Sequence, residues 1–416
     1  YIFVGSKILL LTVMRRGKTE FLFLLLTSVL FFILGNNFPL SLSNKSPLYN
    51  TEELNKPDTS FYPILRGEVE KLYNEKITGG FSGAMIVSCG RDIVFERYKS
   101  FKNRRINANI NQNSRFQLAS ITKQFTAVAV LQLYERGLLN IYDTVQKFIP
   151  EFPYHNITIH QLLCHRSGLP NYIYFLDKFA DSRYNSISGD SLLRLLVKNP
   201  PAIYSKPGSR FRYSNTGYVV LSLIVERITG ESFHNYLRNN LFEPAGMLQT
   251  ELLVPNVNDN FPNMLTGYSK FGRDSREDYL NGCYGDKGIW STARDLVSWD
   301  QALYDSVIIK NETLELALTP HGRPISSKNN YGYGWRIANY NQAAVYYHTG
   351  WWQGFKTLLM RFPEQKITVV VLKNTLSGPM IYQEEMVKIV GRSLYLPQFL
   401  DDKIEIDSTD LLYFDS

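Results

Sequence analysis

The sequence predicts an α/β fold of the α+β kind: an antiparallel sheet flanked by helices, with an inserted helical region. Three observations carry this reading. Strand-like apolar runs stand near both ends of the folded part, in "SGAMIVSCGRDIVFERY" and in "FKTLLMRF" followed by "KITVVVLKN". Helical periodicity with capping signals fills the stretch between them. The chain of 416 residues, 44% hydrophobic and 20% charged, is also long and apolar enough to bury a large core.

Taken in order, residues 1–35 read as an N-terminal extension that carries an address. Arg15, Arg16 and Lys18 precede an apolar run from Phe21 to Leu34, which suits a signal-peptide core and is short for a membrane span. Met14 reads as the start, and no A-x-A-like cleavage site follows clearly. A cleaved signal peptide and a retained membrane anchor therefore both stay open. Either way the expectation is an exported protein, periplasmic or membrane-anchored, with its working domain outside the cytoplasm. Residues 36–75 are expected to form a linker, most plainly over the polar stretch 36–60, residues 76–396 the folded domain and residues 397–416 a tail.

Within the domain, Cys89-Gly90-Arg91-Asp92 joins two apolar runs as a hairpin. Residues 120–136 place Phe125, Val128, Ala129 and Leu133 on one helical face and stop at Gly137. A short helix is expected over 158–163, before the loop "HRSGLP", and an apolar helix over 215–229, ended by Gly230. Thr292 is a cap for "ARDLVSWDQAL". Two strands flank Pro363-Glu364-Gln365, and a last helix covers roughly 380–394. Packing both chain ends into one sheet leaves a cleft against the insertion, a preferred place for a ligand.

Several function classes are disfavoured. The net charge of +7 is dispersed, with no basic cluster longer than the pairs Arg15-Arg16 and Arg104-Arg105, so no nucleic-acid partner is expected. Cys89, Cys164 and Cys283 have no C-x-x-C spacing, which argues against a disulfide framework or a zinc site, and Cys164 reads as buried and inert beside His165. His155, His160 and His165 recur at five-residue steps, which does not place them on one helical face, and no H-E-x-x-H or G-x-S-x-G occurs. No metal and no cofactor are expected.

The chemistry begins with "FQLASITKQF", where Ser120 stands three residues ahead of Lys123. Ser120 is either a helix cap beside a surface lysine or a nucleophile beside its base. A serine hydroxyl needs a base to take its proton, and a lysine one turn later lies on the same face. That lysine works as a base only where burial or a neighbouring cation lowers its pKa. The N-terminal end of a helix would in addition favour the oxyanion of an attacked carbonyl. No other lysine in the chain has a serine three residues before it. A second element, "FRYSNTGYVVL", supplies Tyr213 as a proton relay and Asn215, whose amide can bond both a lysine and a substrate carbonyl. Tyr154-His155-Asn156 is a rival Y-x-N; the first is preferred because "KPGSRF" leads into it and a helix follows directly. The third element is "YYHTGWWQGF". There His348 can bond substrate or shuttle protons, Gly350 permits close approach of a substrate backbone to an edge strand, and the Trp351 N–H can face the Ser120 N–H across an oxyanion.

S-x-x-K, Y-x-N and H-T-G in this order resemble the serine β-lactamase and penicillin-binding-protein superfamily. The nearest branch is that of class C β-lactamases, D-alanyl-D-alanine carboxypeptidases and related esterases. "LLCHRSGLP", "LFEPAGMLQT" and "GIWSTARDLVSWDQAL" add to the resemblance, which covers roughly residues 76–396. It implies a β-lactamase/DD-peptidase-like fold and an acyl-enzyme at Ser120. Lys123 and Tyr213 would then be the base system, Asn215 would position substrate, and His348, Thr349, Gly350 and Trp351 would line the substrate strand. The partner is a small-molecule or peptide substrate, an ester, an amide or a D-amino-acid peptide, with cell-wall fragments among the candidates. A penicillin-binding or sensor-like module that acylates slowly or only binds is the alternative. Two departures from the family pattern matter. His348 stands where many members have a lysine that helps bind a substrate carboxylate, and "GDKG" (Gly285 to Gly288) replaces a plainer glycine-rich turn, with Lys287 restoring a positive charge near the cleft.

Overall fold

The computed structural model describes residues 59–100, 109–176, 186–255, 261–275, 279–326, 329–340 and 343–399. The expected signal peptide or anchor, most of the expected linker and the tail from residue 400 lie outside the described residues. In chain order the elements are α1 (Tyr62–Thr78), β1 (Gly83–Cys89), β2 (Asp92–Lys99), β3 (Phe116–Gln117), α2 (Thr122–Glu135), α3 (Ile159–Leu163), α4 (Gly189–Lys198), α5 (Asn215–Thr229) and α6 (Phe233–Leu237). There follow β4 (Glu251–Leu252), β5 (Ile289–Ser291), α7 (Ala293–Tyr304), α8 (Asn311–Leu318), β6 (Asn329–Tyr331), β7 (Arg336–Tyr340), β8 (Ala343–Trp352), β9 (Phe355–Phe362), β10 (Ile367–Lys373) and α9 (Gln383–Ser393).

The two chain ends meet in one seven-stranded antiparallel sheet, in the order β2-β1-β10-β9-β8-β7-β6. β1 and β10 pair along their whole length, from Gly83 opposite Lys373 to Cys89 opposite Ile367. Both strands are buried at every position, which is why they read as continuous apolar runs and not as alternation. Successive side chains still go to opposite faces. Met85, Val87, Val369 and Val371 join Leu65 and Val69 of α1 and Met386 and Val390 of α9 on the outer face. Ala84, Ile86, Val370 and Leu372 join the larger core around α2, α5 and α7 on the inner face. Burying each such valine or leucine is worth about 1.5–3 kcal/mol.

Local signals behave as the residue types require. Thr158 accepts from the Gln161 N–H and closes a capping box, and Thr292 accepts from the Asp295 N–H at the start of α7. α5 begins at Asn215 and is ended by Gly230, whose φ of +73° only glycine takes without strain.

Two expectations need correction. The linker drawn over residues 36–75 ends sooner, because α1 begins at Tyr62 inside the compact unit that starts at Thr59. Its buried residues Leu65, Val69, Leu72 and Tyr73 are spaced for a helix on the sheet, but Arg66, Glu68, Glu70 and Lys71 between them give the stretch a polar look. The sheet also gains β6 and β7, and a second sheet of order β3-β5-β4 forms from strands of two or three residues, too short to show alternation. That small sheet sets up the site: Leu118, just after β3, donates its N–H to the Ile289 carbonyl at 2.8 Å.

Candidate active site

Immediately after β3 the chain turns sharply. Ala119 has φ +50°, a left-handed conformation that costs a non-glycine residue about 1–2 kcal/mol. A single 3-10 turn, Ala119–Ile121, then runs into α2. Ser120 lies inside this turn and is half-buried. The cap positions of the turn and of α2 are Leu118 and Ile121, neither with a side-chain cap bond, so Ser120 is not the cap. Its Oγ instead accepts from Lys123 Nζ at 3.0 Å.

Lys123 is wholly buried. Its Nζ also donates to Asn215 Oδ1 at 2.7 Å and to the Asp286 carbonyl at 2.9 Å. Burial is the main cause that brings its pKa down to about 7; the Asp286 carboxylate opposes this, and Lys287 and Arg336 assist it. The lysine of S-x-x-K is thus buried, the condition on which its use as a base depends.

Asn215 opens α5 with its Oδ1 on Lys123, and Tyr213 precedes it with its ring centre 4.9 Å from Lys123 Nζ. The rival Tyr154 is engaged elsewhere, its hydroxyl donating to the Pro201 carbonyl at 2.8 Å. His165, set aside in the sequence as one of three evenly spaced histidines, belongs to the site. Its ring lies 4.1 Å from that of Tyr213, and its Nδ1 accepts the Ser214 N–H at 3.2 Å. Burial, chiefly, holds its pKa well below the usual histidine range, so it is a neutral platform for Tyr213. Its neighbour Cys164 is buried, and its thiol is pushed up to about 12 by that burial.

β8 brings the third motif alongside. β7 pairs with β8 only as far as Tyr347, so from His348 onward this edge of β8 faces the Ser120 turn. A Cβ on Gly350 would stand 2.3 Å from the Leu118 carbonyl oxygen. Glycine is therefore required by close approach of the chain itself, where the sequence suggested approach of a substrate. Thr357 on β9 secures the same carbonyl, donating to it at 2.9 Å. Thr349 and Trp351 are half-buried, the latter with Lys356 Nζ 5.3 Å from its ring centre.

His348, expected to bond substrate or shuttle protons, is held by the protein's own groups. It is buried, and both ring nitrogens are taken: Nδ1 donates to the Thr349 carbonyl at 2.6 Å, and Nε2 accepts from the Tyr331 hydroxyl at 2.9 Å. Burial, with Arg336 and Lys123 nearby, keeps it neutral. A cation near the motif is Arg336, which the sequence reading missed. It opens β7 opposite Tyr347, its guanidinium lies 5.9 Å from the Tyr213 ring centre, and its charge is felt at Lys123, His165 and His348. Among the described residues no cluster of three His, Cys, Asp or Glu could hold a metal ion.

What this geometry defines is a serine hydrolase: a hydroxyl held against a buried amine close to neutrality, on the inner side of a seven-stranded sheet. A profile described as Beta-lactamase matches residues 69–387, and the chain belongs to that family. It is similar to Penicillin-binding protein 4* of Bacillus subtilis strain 168, 30% identical over 308 residues that span 71% of this chain and 68% of the relative. It is similar as well to N-acetylmuramyl-L-alanine amidase of the same organism, 25% identical over 422 residues, 89% of this chain and 94% of the relative. The crystal structure of a penicillin binding protein from Bacillus halodurans superposes with a TM-score of 0.66 at 28% identity, covering 78% of this chain and 98% of that one.

Proposed function

We propose that the protein is an exported serine hydrolase that works through a covalent acyl-enzyme at Ser120 on an amide, an ester or a D-amino-acid peptide. The observation that carries this is the 3.0 Å contact between Ser120 Oγ and the buried Nζ of Lys123, whose pKa lies near 7. Neutral Lys123 takes the Ser120 proton as Oγ attacks the substrate carbonyl. The Ser120 and Trp351 N–H groups receive the oxyanion at the start of α2. Asn215 keeps its Oδ1 on Lys123 and turns its Nδ2 to the substrate carbonyl. Tyr213 relays the proton to the leaving amine or alcohol, and water then resolves the acyl-enzyme by the reverse proton path.

Arg336 supports a substrate with a carboxylate near the scissile bond, since it supplies a cation beside the His348-Thr349-Gly350 strand. The names of the similar amidase and penicillin-binding protein favour cell-wall-derived peptides. Export rests on the basic and apolar pattern of residues 15–34.

Intact-mass analysis of the soluble domain after mixing with a fluorophosphonate, a penicillin and p-nitrophenyl acetate tests the reading. A single adduct on Ser120 together with release of p-nitrophenol or hydrolysed penicillin supports it. A folded protein with no adduct from any reagent overturns it, and a stable adduct without turnover favours a slow-acylating sensor. Arg336→Met is expected to raise KM for a carboxylate-ended D-peptide about 10-fold or more while leaving a neutral ester little changed.

A further inference from the structure

Behind Lys123 lies a second buried polar group that acyl transfer leaves unused. Asp286 and Lys287 sit just before β5 and are only 1% and 3% exposed. Lys287 Nζ donates to the Tyr172 hydroxyl, and Tyr172 donates in turn to Asp286 Oδ2 at 2.9 Å. Lys287 Nζ is 3.6 Å from Asp286 Oδ1, and the rings of Tyr172 and Trp352 flank it at 5.0 and 4.9 Å. The backbone of the same segment covers the site: the Asp286 carbonyl accepts from Lys123 Nζ at 2.9 Å, and the Gly285 carbonyl accepts from Thr126 of α2 at 2.7 Å. A buried ion pair is a poor source of stability, because the desolvation of two charges offsets their attraction. Its position points to another use.

We propose that Lys287 and Asp286, bridged by Tyr172, are positioning residues for Lys123, holding the Asp286 carbonyl on its Nζ and setting one positive and one negative charge beside it. The inference rests on Lys123 being the base for Ser120. The charges act in opposite senses: Asp286 favours the ammonium form of Lys123, and Lys287 disfavours it. The other groups facing Lys123 are Arg336 from β7, His348 from β8, Tyr218 from α5, and His165 and Tyr213 from the segments before α5. Both histidines are held neutral by burial, and burial also keeps Tyr218 protonated. Arg336 is thus the third fixed charge, and it stays constant when the pair is altered.

The test is the pH dependence of Ser120 labelling by a fluorophosphonate, followed by intact mass, in wild type, Lys287→Met, Asp286→Asn and Lys287→Arg, each checked for folding by thermal melting. Lys287→Met is expected to move the acid limb up by about half a pH unit or more, Asp286→Asn to move it down, and Lys287→Arg to hold the wild-type midpoint. Folded Lys287→Met and Asp286→Asn proteins with unmoved midpoints overturn the inference. Should Lys287→Met fail to fold, the near-isosteric Asp286→Asn decides by the same criterion. Labelling that persists in Ser120→Ala would instead overturn the acyl-enzyme reading itself, so the two failures are distinguishable.

Discussion

The two faces of the seven-stranded sheet follow different rules. On the outer face α1 and α9 cover a cluster that is almost entirely aliphatic and aromatic, and its ion pairs, Lys76–Glu385 and Arg392–Glu68, lie partly exposed at the rim. Such pairs contribute little, so this face is held by burial. On the inner face Lys123, His165, Asp286, Lys287 and His348 are all buried together. Each is unfavourable to bury, and each is tolerated because a specific partner receives it. The inner face holds both the larger core and the reactive groups, and the outer face a smaller core.

The largest expected effect breaks the inner face alone. Ser120→Ala and Lys123→Met should each lower kcat/KM by about 10³-fold or more without additivity, since residues acting as a unit fail together. Circular dichroism should show the fold unchanged.

The outer face should respond in the opposite way. Leu65 of α1 is wholly buried against the sheet, and Leu65→Ala is expected to cost about 2–5 kcal/mol of stability. The kcat/KM of the folded fraction should stay at the wild-type value. A urea titration read beside an ester assay checks both. The same variant tests whether α1 is integral to the domain.

A smaller effect sharpens the contrast. The folded pKa of Lys123 is near 7, and an unfolded lysine titrates near ~10.4. Between these values the unfolded chain binds more protons, so this residue makes stability rise with pH. Below pH 7 its burial costs most. Lys123→Met removes that slope, so between about pH 6 and pH 9 the variant should lose about 2–3 kcal/mol relative to wild type. Urea midpoints at the two pH values measure the change.

How much of this could be read in the sequence depends on whether a feature is local. β1 and β10 were legible because burial on both faces makes a continuous apolar run, and pairing the two ends followed from it. The Ser120–Lys123 spacing and the start of α5 at Asn215 were legible because one helical turn brings the reactive groups together. α1 was hidden by its charged outer side, and β3, β4 and β5 by their length. Arg336 could not be read from its neighbours, because only the β7–β8 register sets it beside the third motif. The contacts of His348 are hidden for a similar reason: its partner Tyr331 arrives from β6, seventeen residues away in sequence. The "GDKG" departure stood out, but its link to Lys123 runs through a backbone carbonyl, with Tyr172 joining its two charged side chains.

On the proposed mechanism, burial makes Lys123 a base at neutral pH. The most direct measurement is an NMR titration of the Lys123 side chain in the folded protein, with Lys123→Met assigning the signal. A midpoint near 7 is expected. A midpoint above about 9 would leave the amine charged at working pH and rule out Lys123 as the base.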